Sequence, residues 1–60
     1  MSSEALKIQA YDNYVMRGGN KTLDEIEEYS RQTLDMVGLK ECGSDFFNEI
    51  IILVLIKMQE

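Results

Sequence analysis

The 60-residue chain contains no histidine, no proline and no tryptophan, and its only cysteine is Cys42. A single cysteine cannot form a disulfide within the chain, and without histidine the commonest protein ligand of zinc and haem is missing. We therefore expect no metal, no cofactor and no disulfide in the folded protein. Because histidine is also the commonest general base, and the carboxylate of Glu41 beside Cys42 disfavours a thiolate nucleophile, we predict that the protein is not an enzyme.

Basic residues are also few, since six lysines and arginines stand against eleven aspartates and glutamates, a net charge of −5. A chain with this charge is repelled by nucleic-acid phosphates and by anionic membrane surfaces. The longest apolar run, residues 50–56, is far shorter than the roughly 20 residues needed to cross a bilayer. The first residues have neither the basic segment nor the apolar core of a signal peptide, so we expect a cytoplasmic protein.

The length suits one domain, which we expect to span residues 1–60. A domain of this size buries only about 60% of the surface that its unfolded form exposes. Small domains without disulfides or metals usually gain stability from association or from dense helix packing. Hydrophobic residues make up 45% of this chain, enough apolar side chains for association or for dense helix packing.

The clearest element lies in the middle of the chain. Thr22 and Glu25 have the spacing of a capping box, so we predict a helix over residues 22–37 that ends at Gly38. Tyr29 and Met36 are expected at the margins of its inward face. The predicted inward face itself consists of Leu23, Ile26, Ser30, Thr33, Leu34 and Val37.

The last segment is predicted to be a helix over residues 44–58, with Ser44 as its cap and Asp45 in its first turn. Laid on a helix, its apolar side chains occupy nearly every face. A buried strand has the same continuous β-branched pattern, but the length, the cap and the Asn-Glu start favour a helix.

The first segment fits two structures. As a helix over residues 3–17, it places Ile8, Tyr11 and Val15 on one face, with Ala5 and Tyr14 nearby. As a strand, its apolar residues alternate with Lys7 and Gln9. Its intrinsic preferences favour the helix. We therefore predict an all-α fold of three short helices, a small bundle that self-association completes.

Self-association follows from the apolar circumference of the last helix. Two neighbouring helices cover only two stripes along the surface of a third helix, which is about 10 Å across. The remainder would be an exposed apolar patch in a monomer, so we expect a homo-oligomer, most simply a symmetric dimer. The residues expected to form its interface are Phe46, Phe47, Ile50, Ile51, Ile52, Leu53, Val54, Leu55, Ile56 and Met58.

An acidic cluster marks the start of the middle helix, where the helix dipole favours negative charge. We predict that Glu27 pairs with Arg31, one helical turn away. Because the last helix is expected to self-associate, this cluster is the most distinctive surface left for another partner, an unidentified protein with a basic site. The expected partner-binding residues are Asp24, Glu25, Glu27, Glu28 and Tyr29.

These features predict a small acidic protein-protein interaction module that regulates or inhibits another protein. In style it resembles the accessory regulators and inhibitors that phages and bacterial mobile elements encode. Two alternatives stay open. Residues 22–26 resemble the opening of helix-turn-helix units in bacterial regulators, which would imply a dimeric DNA-associated transcriptional regulator despite the acidic charge. The chain could instead be a subunit of a larger assembly, in which a different chain covers the last helix.

Overall fold

The computed structural model describes residues 2–39 and 41–59, and this part of the chain forms three α-helices and no strand. Helix α1 spans Ser3–Met16, α2 spans Leu23–Met36 and α3 spans Ser44–Met58. The all-helical prediction is confirmed, including the helical alternative for the first segment. Each observed boundary lies within one residue of the predicted one. No helix in the described ranges is long and apolar enough to cross a membrane.

The third helix is the centre of the bundle, because α1 and α2 both pack against it, α1 more extensively. The starts of α1 and α3 lie together, where the Ser3 hydroxyl donates a 2.6 Å hydrogen bond to Asp45. Near the same end, Arg31 from the second half of α2 lies over the ring of Phe47, 5.3 Å from its centroid. Helix α1 therefore runs in the same direction as α3, and α2 runs in the opposite direction.

The predicted capping box at the start of α2 is present. The Thr22 hydroxyl accepts a hydrogen bond from the Glu25 backbone N–H at 3.2 Å, and the Glu25 carboxylate accepts one from the Thr22 backbone N–H at 3.2 Å. Each contact satisfies an N–H group that has no partner within the helix. The backbone N–H and then the hydroxyl of Thr22 hold the pKa of Glu25 below its usual range.

Glycine ends the first two helices, as predicted for Gly38. Gly18 and Gly38 follow the last turns of α1 and α2 with φ of +94° and +79°, in the left-handed region that a side chain disfavours. After each helix, two backbone bonds close the chain in a Schellman motif, such as Gly19 N–H to Tyr14 C=O at 3.0 Å. A Cβ at Gly19 would overlap the ring of Tyr14, so this turn packs directly on the core.

The predicted cap of α3 is wrong in one respect. Gly43, and not Ser44, is the N-cap residue, and no side chain caps the helix. Asp45 does lie in the first turn, as predicted. Its carboxylate accepts the hydrogen bond from Ser3, because α1 brings a hydroxyl to this end of α3.

The hydrophobic core lies where the three helices meet. Ile51 and Leu55 of α3 are 0% exposed and contact Tyr14 of α1 and Ile26 of α2. At the edges of this cluster are partly buried residues from all three helices: Ala10, Tyr11, Leu23, Phe47 and Val54. The two fully buried side chains of α3 thus contribute the centre of the core, at roughly 1.5–3 kcal/mol each.

The predicted inward face of α1 is partly wrong. Ile8 and Val15 are 47% and 46% exposed, whereas Lys7 and Tyr14 are buried. Only Tyr11 of the predicted face packs against the core. The inward face instead includes the long side chain of Lys7, whose ammonium pairs with the partly buried Glu27 of α2 and with the exposed Glu4.

The predicted inward face of α2 is largely correct. Ile26, Ser30 and Leu34 are buried. The Ser30 hydroxyl donates a hydrogen bond to the backbone carbonyl of Ile26 at 2.9 Å. Val37 is the exception, since it is 63% exposed. It lies at the C-cap, where the chain leaves the helix and turns away through Gly38.

We expect Thr22→Ala to lower the free energy of unfolding by about 0.5–2 kcal/mol, because the Glu25 N–H loses its acceptor. Urea denaturation at one fixed protein concentration measures the change. Thr33→Ala is the matched control, since the Thr33 hydroxyl bonds only the preceding turn of the same helix. Equal denaturation midpoints for the two variants would show that the cap does not stabilise the helix.

Candidate interaction surfaces

One side of α3 is not covered by the other two helices. Asn48 of α3 faces α1, and Phe47 faces α2. Leu53 lies on the opposite side, about 200° around the helix from Ile51, and is 62% exposed. We call this side the open face of α3, and it consists of Phe46, Glu49, Ile50, Leu53, Ile56 and Lys57.

The open face is mainly apolar. Phe46 and Ile56 are each nearly half exposed, and Ile50 is partly buried beside Leu53. A shallow depression of about 460 Å³ runs along this part of the helix between its isoleucine and leucine side chains. Glu49 and Lys57 supply one charge of each sign, so the face has no net charge. A contiguous apolar surface of this kind on a small protein is typical of an interaction site.

The residues predicted to self-associate divide into two groups. Ile51 and Leu55 are 0% exposed, Phe47 and Val54 pack against the core, and Ile52 is partly buried on the same helix. Met58, at the end of α3, lines a hollow beside α2. The second group, Phe46, Ile50, Leu53 and Ile56, lies on the open face of α3. A second molecule can reach these residues because α1 and α2 pack against other sides of the helix.

The outer surface of α2 presents carboxylates to solvent. Asp24 and Glu28 are exposed and lie one helical turn apart. The Glu28 carboxylate accepts a hydrogen bond from Arg31 at 2.9 Å, three positions further along. Tyr29 is also exposed, at the margin of this surface that faces α3. We call Asp24, Glu28 and Tyr29 the acidic face of α2.

The other two predicted partner-binding residues have intramolecular roles. Glu25 closes the capping box with Thr22. Glu27 is partly buried and points towards α1, where it pairs with Lys7 at 3.2 Å. The predicted ion pair between Glu27 and Arg31 is therefore wrong. Glu27 pairs with Lys7, and Arg31 pairs with Glu28.

A buried polar network joins the three helices, and the sequence reasoning missed it. Lys7 is only 7% exposed, and its ammonium lies 3.2 Å from Glu27 and 3.4 Å from Glu4. Asn48 of α3 is also buried and donates to the Ser3 hydroxyl at 3.1 Å and to Glu4 at 3.4 Å. The sequence does carry a signal for it, since Lys7 shares one helical face with Tyr14 at a spacing of seven residues.

Tyrosines secure the turn between α1 and α2. The Tyr11 hydroxyl donates to the Lys21 carbonyl at 3.1 Å, and the Tyr14 hydroxyl accepts from the Lys21 N–H at 3.2 Å. The two rings lie 6.0 Å apart. The hydroxyls therefore hold the backbone just before the capping box, which sets the direction in which α2 begins.

A hollow of about 430 Å³ lies between α2 and α3, beside the acidic face of α2. It is lined by Lys21, Glu25, Ile26, Tyr29, Val54, Lys57 and Met58. Cys42 lies elsewhere, half-buried in a smaller depression next to Phe47. In the residues that the structure describes, no group of three or more cysteine, aspartate or glutamate side chains is placed to hold a metal ion.

Comparisons of the chain with models of protein families, with curated proteins and with solved structures find no match. The two surfaces and the polar network are therefore the observations from which a function can be inferred.

We expect Lys7→Met to lower the free energy of unfolding by about 1–3 kcal/mol, because Glu27 loses its cationic partner inside the bundle. Lys21→Met is the matched control, since Lys21 is exposed. The double variant Lys7→Met, Glu27→Met should regain much of the loss, because two apolar side chains leave no unpaired charge. Equal stabilities of the two single variants in urea would contradict a stabilising role of this ion pair.

Proposed function

We propose that this protein is a small acidic interaction module that self-associates through the open face of α3 and regulates or inhibits another protein. The single observation that carries the proposal is the open face itself, a mainly apolar surface in the middle of the longest helix. Leu53, at the centre of this face, is 62% exposed. An apolar surface of this kind gains most when another protein surface covers it.

A second copy of the chain is the occupant that best suits the open face. The face carries one acid and one base, whereas the whole chain carries a net charge of −5. Two copies that meet elsewhere, for example through the acidic face of α2, would bring carboxylates of the same sign together. Meeting through α3 keeps Asp24 and Glu28 away from their own copies and leaves them exposed.

The acidic face of α2 is the surface that we assign to the regulated protein. Its exposed carboxylates favour a basic site, and Tyr29 offers an aromatic side chain with a polar hydroxyl, as is common at interfaces. The adjacent hollow could receive an apolar side chain of that partner beside Tyr29. Association driven by exposed charges is fast at low ionic strength and weakens as salt is added.

We expect the wild-type chain to be a homo-oligomer at micromolar concentration and Leu53→Lys to dissociate it, because a lysine on the open face would place an unpaired charge in an apolar interface. Val37→Lys is the matched control, since Val37 is 63% exposed and Leu53 is 62% exposed. Both changes add one positive charge; lysine is a good helix former within α3, and a positive charge is favourable at the C-terminal end of α2, where Val37 lies.

Multi-angle light scattering over a range of concentrations measures the mass of all three proteins. A wild-type mass that stays at 6.9 kDa at every concentration would contradict self-association. Equal masses for the two variants would show that the open face of α3 is not the interface. Circular dichroism should show helical spectra for both, so that loss of association is not confused with unfolding.

We expect the double variant Asp24→Asn, Glu28→Gln to bind the regulated protein more weakly and with less sensitivity to salt, since it lacks two exposed carboxylates. The matched control is Asp12→Asn, Glu41→Gln, which removes two exposed carboxylates outside α2. Affinity capture with the wild-type chain supplies the partner, and calorimetry at low and high salt then compares the variants. If both double variants bind equally well, the acidic face of α2 is not the binding surface.

A further inference from the structure

The charges and isoleucines of the open face are placed symmetrically about Leu53. Glu49 lies four residues before Leu53 and Lys57 four residues after it. Ile50 lies three residues before it and Ile56 three residues after it. The two charges and the two isoleucines thus have counterparts at equal distances on either side of Leu53, whereas Phe46, seven residues before Leu53, has no apolar counterpart.

This symmetry suits two antiparallel copies of α3. When antiparallel helices cross at Leu53, a residue before Leu53 on one copy lies level with the residue equally far after it on the other. Glu49 of one copy then lies level with Lys57 of the second copy, about 6 Å along the helix from the crossing point. Ile50 likewise lies level with Ile56 of the second copy, and the two Leu53 side chains meet.

We propose that the protein forms a twofold dimer in which the α3 helices pack antiparallel, cross at Leu53 and exchange two Glu49–Lys57 ion pairs. This inference rests on the proposed self-association and adds its orientation and register. The core does not obstruct the crossing, because Ile51 and Leu55 point to the opposite side of α3 and are 0% exposed. Helices α1 and α2 lie on that side as well.

A parallel arrangement is disfavoured by the same residues. In a parallel pair, equivalent positions meet, so Glu49 would face Glu49 and Lys57 would face Lys57. Like charges in an interface oppose association and select against the wrong orientation. The antiparallel pair also brings the positive end of each helix dipole beside the negative end of the other.

Charge reversal tests the register. We expect Glu49→Lys or Lys57→Glu alone to weaken dimerisation about tenfold at low salt, because each creates two like-charge contacts at the interface. The double variant Glu49→Lys, Lys57→Glu should restore dimerisation to within about threefold of wild type, since the pairs form again with their signs exchanged. Glu41→Lys, outside α3 and with the same change of charge as Glu49→Lys, is the control that should have no effect. Sedimentation equilibrium measures the dissociation constants.

Disulfide trapping tests the orientation in a chain whose native thiol is removed by Cys42→Ser. Leu53→Cys should crosslink readily on mild oxidation, because a disulfide needs Cβ atoms about 3.5–4.5 Å apart and the two positions meet at the crossing point. Phe46→Cys is the matched position on the same face. It lies seven residues from Leu53, so its two copies would be about 21 Å apart and should not crosslink.

The outcomes separate the register from self-association. Crosslinking at position 53 and not at 46, together with restoration by the double charge reversal, supports the antiparallel dimer. Equal crosslinking at both positions, or single reversals that leave dimerisation unchanged, would overturn the antiparallel register while self-association stands. Absence of crosslinking at position 53 in a variant that light scattering shows to be dimeric would also overturn it. A wild-type chain that light scattering shows to be monomeric would overturn the proposed self-association itself.

Discussion

The structure depends on one constraint, which is that α3 is apolar around most of its circumference and has only two helices to cover it. Ile51 and Leu55 form the centre of the core, and α1 and α2 flank them on either side. A helix contacts each neighbour along one stripe, so two neighbours leave a third side open. Leu53 lies in the middle of that side. Helix α3 therefore supplies the centre of the core and also keeps an uncovered apolar side, which is the proposed interface.

The polar network around Lys7 explains how the remaining surfaces are distributed. The ammonium of Lys7 is paired with the partly buried Glu27 and the exposed Glu4, and with this face of α1 turned inward Ile8 remains exposed. The same pairing withdraws Glu27 from the acidic cluster, while Glu28 stays on the outer surface with Arg31. The burial of Lys7 thus goes together with the rotation of α1 and with the partial burial of Glu27, while Glu28 remains exposed. Leaving a buried charge without a partner is costly.

Helix boundaries were predictable from the sequence because local interactions determine them. The capping box of Thr22 and Glu25 involves residues three positions apart, and the turn at Gly38 needs only a residue that tolerates positive φ. The faces of the helices were harder to predict. Periodicity counts Lys7 as polar and places it outside. In the structure its burial is compensated in part by Glu27, which approaches from another helix and lies 20 positions further along the chain.

The sequence by itself determined the limits of the helices, the acidic charge and the surplus of apolar side chains in the last segment, since each is a property of composition or of contacts within one turn. For the first segment it favoured a helix over a strand, and the structure decided between the two. Tertiary structure alone decided which side of α3 remains open and which acids remain outside. Those choices depend on how α1 and α2 pack, and in particular on Asn48 and Phe47, which contact different neighbours from adjacent positions of one helix. Adjacent residues on a helix point about 100° apart, so only the placement of the neighbouring helices settles which of them is covered.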